Sequence, residues 1–193
     1  MQAITVLYTH NLRGDLDLLP RLFTFIQKLR TGIARKSVLV DLGESCAPEV
    51  WPCAITGGRS TLLALDAMGY DAANVTGVLS AESRGKLTGQ IMMALVDEEH
   101  SHTKDDVFFT THPEDDGALF QIILAPAETT TLEGRTLRLA GIKGGQVGVA
   151  KVMSGSAQYE VHAVPPNTPS DATIAGVVDF IRSEARYYEK KQD

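Results

Sequence analysis

Apolar and polar positions alternate in blocks along this chain, and each change of period marks a change of element. Residues 3–9 are a run of β-branched and apolar side chains that predicts a strand buried on both faces. Residues 18–30 place Leu18, Leu19, Leu22, Phe23, Phe25, Ile26 and Leu29 at helical spacing, with Pro20 tolerated in the first turn. Residues 37–43 form a second buried strand. Residues 59–69 predict a helix that stops at Gly69, and residues 72–76 a short third strand. This βαβαβ opening favours a parallel sheet with right-handed crossovers.

The middle reads differently. Residues 86–96 carry Leu87, Ile91, Met92 and Leu95 at helical spacing, followed by a polar stretch at 97–106 that reads as an exposed loop or a fraying helix end. Strands are then expected at 107–110, 118–124, 129–132, 136–142, 146–153 and 158–164, with the Gly-rich and acidic breaks acting as hairpin turns. A last helix at 170–190 turns Ile174, Val177, Val178 and Ile181 inward, with Asp171 at its positive end. No repeat and no low-complexity linker interrupts the chain, so residues 1–193 are expected to form a single domain.

Charge and composition narrow the function classes. The chain is 44% hydrophobic and 22% charged, ordinary for a globular protein, and a formal net charge of −6 argues against non-specific nucleic-acid binding. No apolar run approaches the roughly 20 residues of a membrane span, and no signal sequence is evident at the N-terminus, so a cytoplasmic protein is expected. Cys46 and Cys53 then read as two partly buried thiols, a disulfide being the minority alternative; C-x6-C is neither a zinc nor a thioredoxin spacing.

Candidate chemistry gathers after the first strand, in Thr9-His10-Asn11-Leu12-Arg13-Gly14. This resembles the opening motif of the 5'-nucleotidase branch of the calcineurin-like metallophosphoesterases, where an apolar strand runs into Asp-x-His-Gly and the Asp and His hold a metal. Asp41-Leu42-Gly43-Glu44 is similar to that family's Asp-x-Gly-Asp, whose last Asp bridges two metals. Asp66-Ala67-Met68-Gly69-Tyr70-Asp71-Ala72-Ala73 resembles the run before its Gly-Asn-His-Glu, which falls on Thr76-Gly77-Val78-Leu79. The stretch from Leu137 to Ala150, rich in Gly, is similar to the family's closing strand pair. The resemblance implies an α/β metallophosphoesterase-like layered sandwich, mixed β-sheets flanked by helices, with a shortened middle and without the separate nucleotide-specificity domain.

At the implied ligand positions stand Asn11, Arg13, Glu44, Gly77 and Val78. Two-metal hydrolysis needs donors enough to offset about four positive charges. A guanidinium carries only donors and stays protonated, so it ligates nothing. The expected protein is therefore an inactive relative, a pseudoenzyme with a binding, structural or regulatory role and no cofactor. Its expected associate is a protein partner or a second copy of itself, with neither nucleic acid nor membrane span. The alternative is a phosphoesterase using a single hard cation on Asp41, Glu44 and Asn11. Arg13 is expected to pair with Glu44 or Asp41 in place of the metals. Arg13 and Arg59 are also candidates for holding a phosphate, Arg59 lying in the Gly57-Gly58-Arg59-Ser60-Thr61 helix start. His100, His102, His112 and His162 read as polar surface or packed residues, and Trp51, Tyr187 and Tyr188 as packing groups with contact potential.

Overall fold

The computed structural model describes residues 3–33, 37–114, 119–153 and 155–192. In chain order the elements are β1 (Ile4–Thr9), α1 (Leu19–Thr31), β2 (Ser37–Asp41), α2 (Cys53–Thr56), α3 (Arg59–Ala67), β3 (Ala72–Asn74), α4 (Ala81–Leu87), β4 (Ala94–Val96), β5 (His102–Lys104), β6 (Val107–Thr110), β7 (Phe120–Ala127), β8 (Thr131–Glu133), β9 (Thr136–Ala140), β10 (Gln146–Met153), β11 (Ser156–Ala163) and α5 (Ala172–Gln192).

Two sheets stack. The first has the order β11-β10-β1-β2-β3-β4, with β1 to β4 parallel and the β10–β11 pair running antiparallel along β1. The second has the order β5-β6-β7-β9-β8. Side-chain alternation along β1 sorts the core. Leu7 faces the helices and packs with Leu19, Leu22, Ile26, Leu62, Leu65, Ile174 and Val178. Ile4, Val6 and Tyr8 face the second sheet and meet Phe109, Ile122, Leu124, Leu137 and Leu139. Because β1 and β2 are covered on both faces, they read as unbroken apolar runs. The expected βαβαβ opening and the layered sheets with flanking helices are both present.

Three local expectations fail. Residues 86–96 are not one helix: α4 ends at Leu87, Gly89 takes a φ of +79°, and the chain becomes β4. Pairing sets this strand, through Ala94, Leu95 and Val96 beside Ala72, Ala73 and Asn74. One Asp66 oxygen, Oδ1, accepts from the backbone N–H of both Met92 and Met93 at 2.8 Å, fixing the entry to the strand. The polar loop expected at 97–106 contains β5, exposed throughout and held by its antiparallel ladder to β6. In the second sheet, β6–β7 and β7–β9 are parallel rather than hairpins, with β8 laid antiparallel outside β9. The β6–β7 connection is tied back to the sheet where Gln121 Nε2 donates to the Glu114 carbonyl. The strand expected at 118–124 starts on Ala118, which lies outside the described residues, and is seen from Phe120 onward. The last helix is displaced by two residues, to Ala172–Gln192.

Candidate functional site

The loops leaving β1 and β2 are joined backbone to backbone at the carboxyl edge of the first sheet. Asn11 N–H donates to the Gly43 carbonyl (3.0 Å), Arg13 N–H to Glu44 (2.9 Å) and Gly14 N–H to Ser45 (2.9 Å). These rungs hold Asn11, Arg13 and Glu44 at φ values of +58°, +53° and +52°, a left-handed conformation that non-glycine residues seldom adopt. Gly77, at the third motif position, has φ +71°. Four of the five positions singled out by the sequence thus share a backbone geometry that costs on the order of 1–3 kcal/mol per non-glycine residue and persists only where the surroundings impose it.

The side chains diverge from the expected arrangement. Arg13 pairs with Glu49 rather than with Glu44 or Asp41, and both members of the pair are more than half exposed, at 52% and 60%. Asp41 is fully buried and its oxygens are occupied: Thr9 Oγ1 donates to Oδ2 (2.7 Å) and Gly43 N–H to Oδ1 (3.0 Å). Tyr70 OH lies 3.1 Å from Thr9 Oγ1 and completes a closed Tyr70–Thr9–Asp41 chain. Burial pushes the Asp41 carboxyl up to about 7, against the opposing hydrogen bonds from Thr9 and Gly43. Burial, and then the neighbouring Asp41, also raises the Tyr70 phenol, which keeps its proton. Glu44 is exposed. Asn11 Oδ1 is a buried oxygen without a hydrogen-bond partner, and Gly77 and Val78 supply no donor atom on their side chains.

Arg59 is engaged elsewhere. Its Nε donates to the Thr56 carbonyl (2.9 Å) and its guanidinium lies 5.6 Å from the Tyr188 ring centroid, which ties the start of α3 to α5. His10, next to the motif, sits with Nδ1 3.0 Å from the Ile142 carbonyl, linking the first loop to the end of β9. His100 bonds to Asp97, His162 lies 3.3 Å from Glu160, and His102 is exposed on β5. Among the described residues no three His, Cys, Asp or Glu side chains converge as a metal site would require.

Cys46 and Cys53 are joined, with their Cα atoms 5.6 Å apart, which corrects the reading of two free thiols. The turn between them, where Val50 N–H donates to the Ala47 carbonyl (3.0 Å), makes this closure by returning the chain to Cys53 at the start of α2. The disulfide lines a crevice of about 300 Å³ whose other walls include Ala54, Gly57, Gly77 and Val78. The third motif position therefore shares a crevice with the disulfide. Gly14 packs directly against it, since a Cβ there would lie 2.5 Å from Cys53 Sγ.

Sequence reasoning missed two further members of the site. Thr9, the last residue of β1, carries the Asp41 hydrogen bond. Asn74, the last residue of β3, donates through Nδ2 to the carbonyls of Leu42 (3.2 Å) and Leu124 (3.3 Å), and so links the two sheets. A buried polar residue at the carboxyl end of an otherwise apolar strand was the available signal for both.

A dinuclear centre does not fit this donor set. One exposed carboxylate, one amide oxygen, a guanidinium turned toward Glu49, a glycine and a valine cannot neutralise two divalent cations. Comparison with known proteins gives a fold and nothing finer. No family model matches the chain, and no curated protein matches it. Among solved structures it is similar to the calcineurin-like phosphoesterase YfkN of Bacillus subtilis, with a TM-score of 0.58 and 12% identity over 97% of this chain and 99% of that one. It is also similar to the Thermus thermophilus sulfate thiohydrolase SoxB (0.65, 10% identity, 95% of this chain) and to the Haemophilus influenzae NAD nucleotidase NadN (0.60, 10%, 96%). It spans 61% and 60% of those two chains. The chain has the fold of calcineurin-like phosphoesterases, as the opening motif implied.

Proposed function

We propose that this chain is a phosphoesterase-fold domain that does not hydrolyse phosphoesters and acts by binding, in a structural or regulatory role. The observation that supports this most is the fate of the five motif positions: the left-handed backbone persists at four of them while the donor set has gone. Asp41, the buried carboxylate at the root of the loops, is enclosed with both oxygens bonded, so it cannot supplement Glu44 without breaking the Thr9–Tyr70 chain. The crevice walls named above are neutral, and neither Arg13 nor Arg59 lines it. A neutral small molecule therefore suits it better than a phosphate. A cytoplasmic setting, where thiols are kept reduced, goes with a disulfide that cycles rather than one that is permanent.

Metal analysis combined with a phosphoesterase assay tests this reading. Purified protein, supplied in turn with Mn²⁺, Fe²⁺ and Zn²⁺, is expected to retain well under one ion per chain and to hydrolyse bis(p-nitrophenyl) phosphate no faster than the Glu44→Ala variant. Stoichiometric metal, with hydrolysis abolished by Glu44→Ala, would instead establish the single-cation phosphoesterase, for which the unpartnered Asn11 Oδ1 is the one supporting observation.

A further inference from the structure

We propose that Cys46 and Cys53 form a thiol–disulfide exchange site, and that its substrate is a low-molecular-weight thiol entering through the crevice they share with the third motif position. The case begins with location. A purely structural staple has no need of a crevice, yet both cysteines, though only 6% and 2% exposed, are among the residues that line this one, together with Ala54, Gly57 and Gly77. A volume of about 300 Å³ is at the small end for ligand sites and suits a thiol of amino-acid size.

The two sulfurs are not equivalent. Ser60 Oγ and Thr61 Oγ1, both fully buried in the first turn of α3, lie 3.3 Å from Cys46 Sγ. Their distances to Cys53 Sγ are 3.8 and 4.0 Å. A disulfide sulfur has no proton, so in both contacts with Cys46 the hydroxyl donates. Donors placed on one sulfur favour the charge that develops there when the bond breaks. The incoming thiolate accordingly attacks Cys53 Sγ. An R–S–Sγ bond forms, the Sγ–Sγ bond breaks, and its electron pair goes to Cys46 Sγ between the two hydroxyls. A second thiolate then attacks the R sulfur, releasing R–S–S–R and leaving the pair on Cys53, and Cys46 and Cys53 take up the two protons that the small thiols gave up. The sum is one protein disulfide and two thiols converted to one protein dithiol and one small disulfide. This chemistry is independent of whether the fold also hydrolyses phosphoesters.

The test uses the oxidised, folded protein and L-cysteine as the probe. In the absence of denaturant, two alkylatable thiols are expected to appear at a rate proportional to cysteine concentration, and a quenched intermediate is expected to carry cysteine on Cys53. Thr61→Val, which keeps shape and disulfide while removing one donor, is expected to slow the reaction at least tenfold with an unchanged circular-dichroism spectrum. If Cys46→Ser folds, cystine should convert its Cys53 into a mixed disulfide that persists for want of a resolving thiol. The proposal is overturned if thiols appear only at urea concentrations that unfold the protein, if the adduct maps to Cys46, or if Thr61→Val reacts as fast as the parent.

Discussion

The loops after β1 and β2 differ sharply from the segment after β3, although all three carry a motif position. The first two are laced by three backbone hydrogen bonds, closed by a disulfide and rooted on the buried Asp41. The third is open. A Cβ at Gly77 would meet nothing within 4 Å, Met92 is 94% exposed, and Asp97, just after β4, stays near the surface in a pair with Arg84 and bonded to His100. The rungs between the first two loops impose a left-handed backbone on non-glycine residues, whereas the third segment takes it at a glycine.

The carboxylates of the two regions are expected to respond to pH in opposite senses, and this is the largest effect. Asp41 rises from 3.8 to about 7 in the fold because burial disfavours its charge. The unfolded chain therefore releases this proton first. Stability from Asp41 is complete below about pH 4 and is lost progressively as pH rises to about 7, a change of several kcal/mol. Asp97 is held below its usual value: burial works to raise it, but hydrogen bonds from His100 and the Glu99 N–H, with the Arg84 charge, outweigh that. Its contribution is present above the unfolded value and is lost as pH falls. Urea unfolding between pH 3 and 8 should show the descending limb flattened by Asp41→Asn and the acid limb flattened by Asp97→Asn. An unchanged descending limb in Asp41→Asn would mean that the buried chain with Thr9 and Tyr70 does not govern the laced region.

A pair of alanine substitutions separates packing from backbone strain. Gly14 and Gly77 both have positive φ, +83° and +71°, so strain is nearly matched. They differ in surroundings: a Cβ at Gly14 would meet Cys53 Sγ at 2.5 Å. Gly14→Ala is expected to cost about 3 kcal/mol, strain and overpacking together, and Gly77→Ala about 1 kcal/mol from strain alone. Denaturant midpoints measure both, and equal losses would erase the contrast.

Legibility followed the same division. β1, α1, β2 and α3 were plain in the sequence because each buries its own apolar pattern. The 86–96 segment was misread because Leu87, Ile91 and Leu95, four residues apart, satisfy a helix, while the strand there is three residues long and made by pairing with β3 and by the Asp66 carboxylate. β5 carries no apolar signal, since only its ladder to β6 makes it a strand. The motif positions could be found from spacing, but their partners could not. Glu49 lies 36 residues beyond Arg13, and Cys53 reaches Cys46 through the turn at Ala47–Val50 that precedes α2. Asn74 escaped notice because its partners, Leu42 and Leu124, belong to different sheets.

The smallest effect asks whether the laced backbone or the Glu44 side chain is what matters at the second motif. Glu44 is exposed, forms none of the ion pairs found among the described residues, and sits at φ +52°. If only the backbone matters, glycine should serve there better than glutamate. It removes a left-handed penalty of about 1–2 kcal/mol, offset by roughly 0.5–1 kcal/mol of extra freedom in the unfolded chain. Glu44→Gly is therefore expected to gain about 0.5 kcal/mol, read as a small rise in the urea midpoint with unchanged slope. Arg13→Gly, at φ +53°, should gain less, because it also forfeits the exposed pair with Glu49, worth at most about 1 kcal/mol. A loss of 1 kcal/mol or more in Glu44→Gly would show that the carboxylate itself is used, and would move the second motif from retained scaffold back to working ligand.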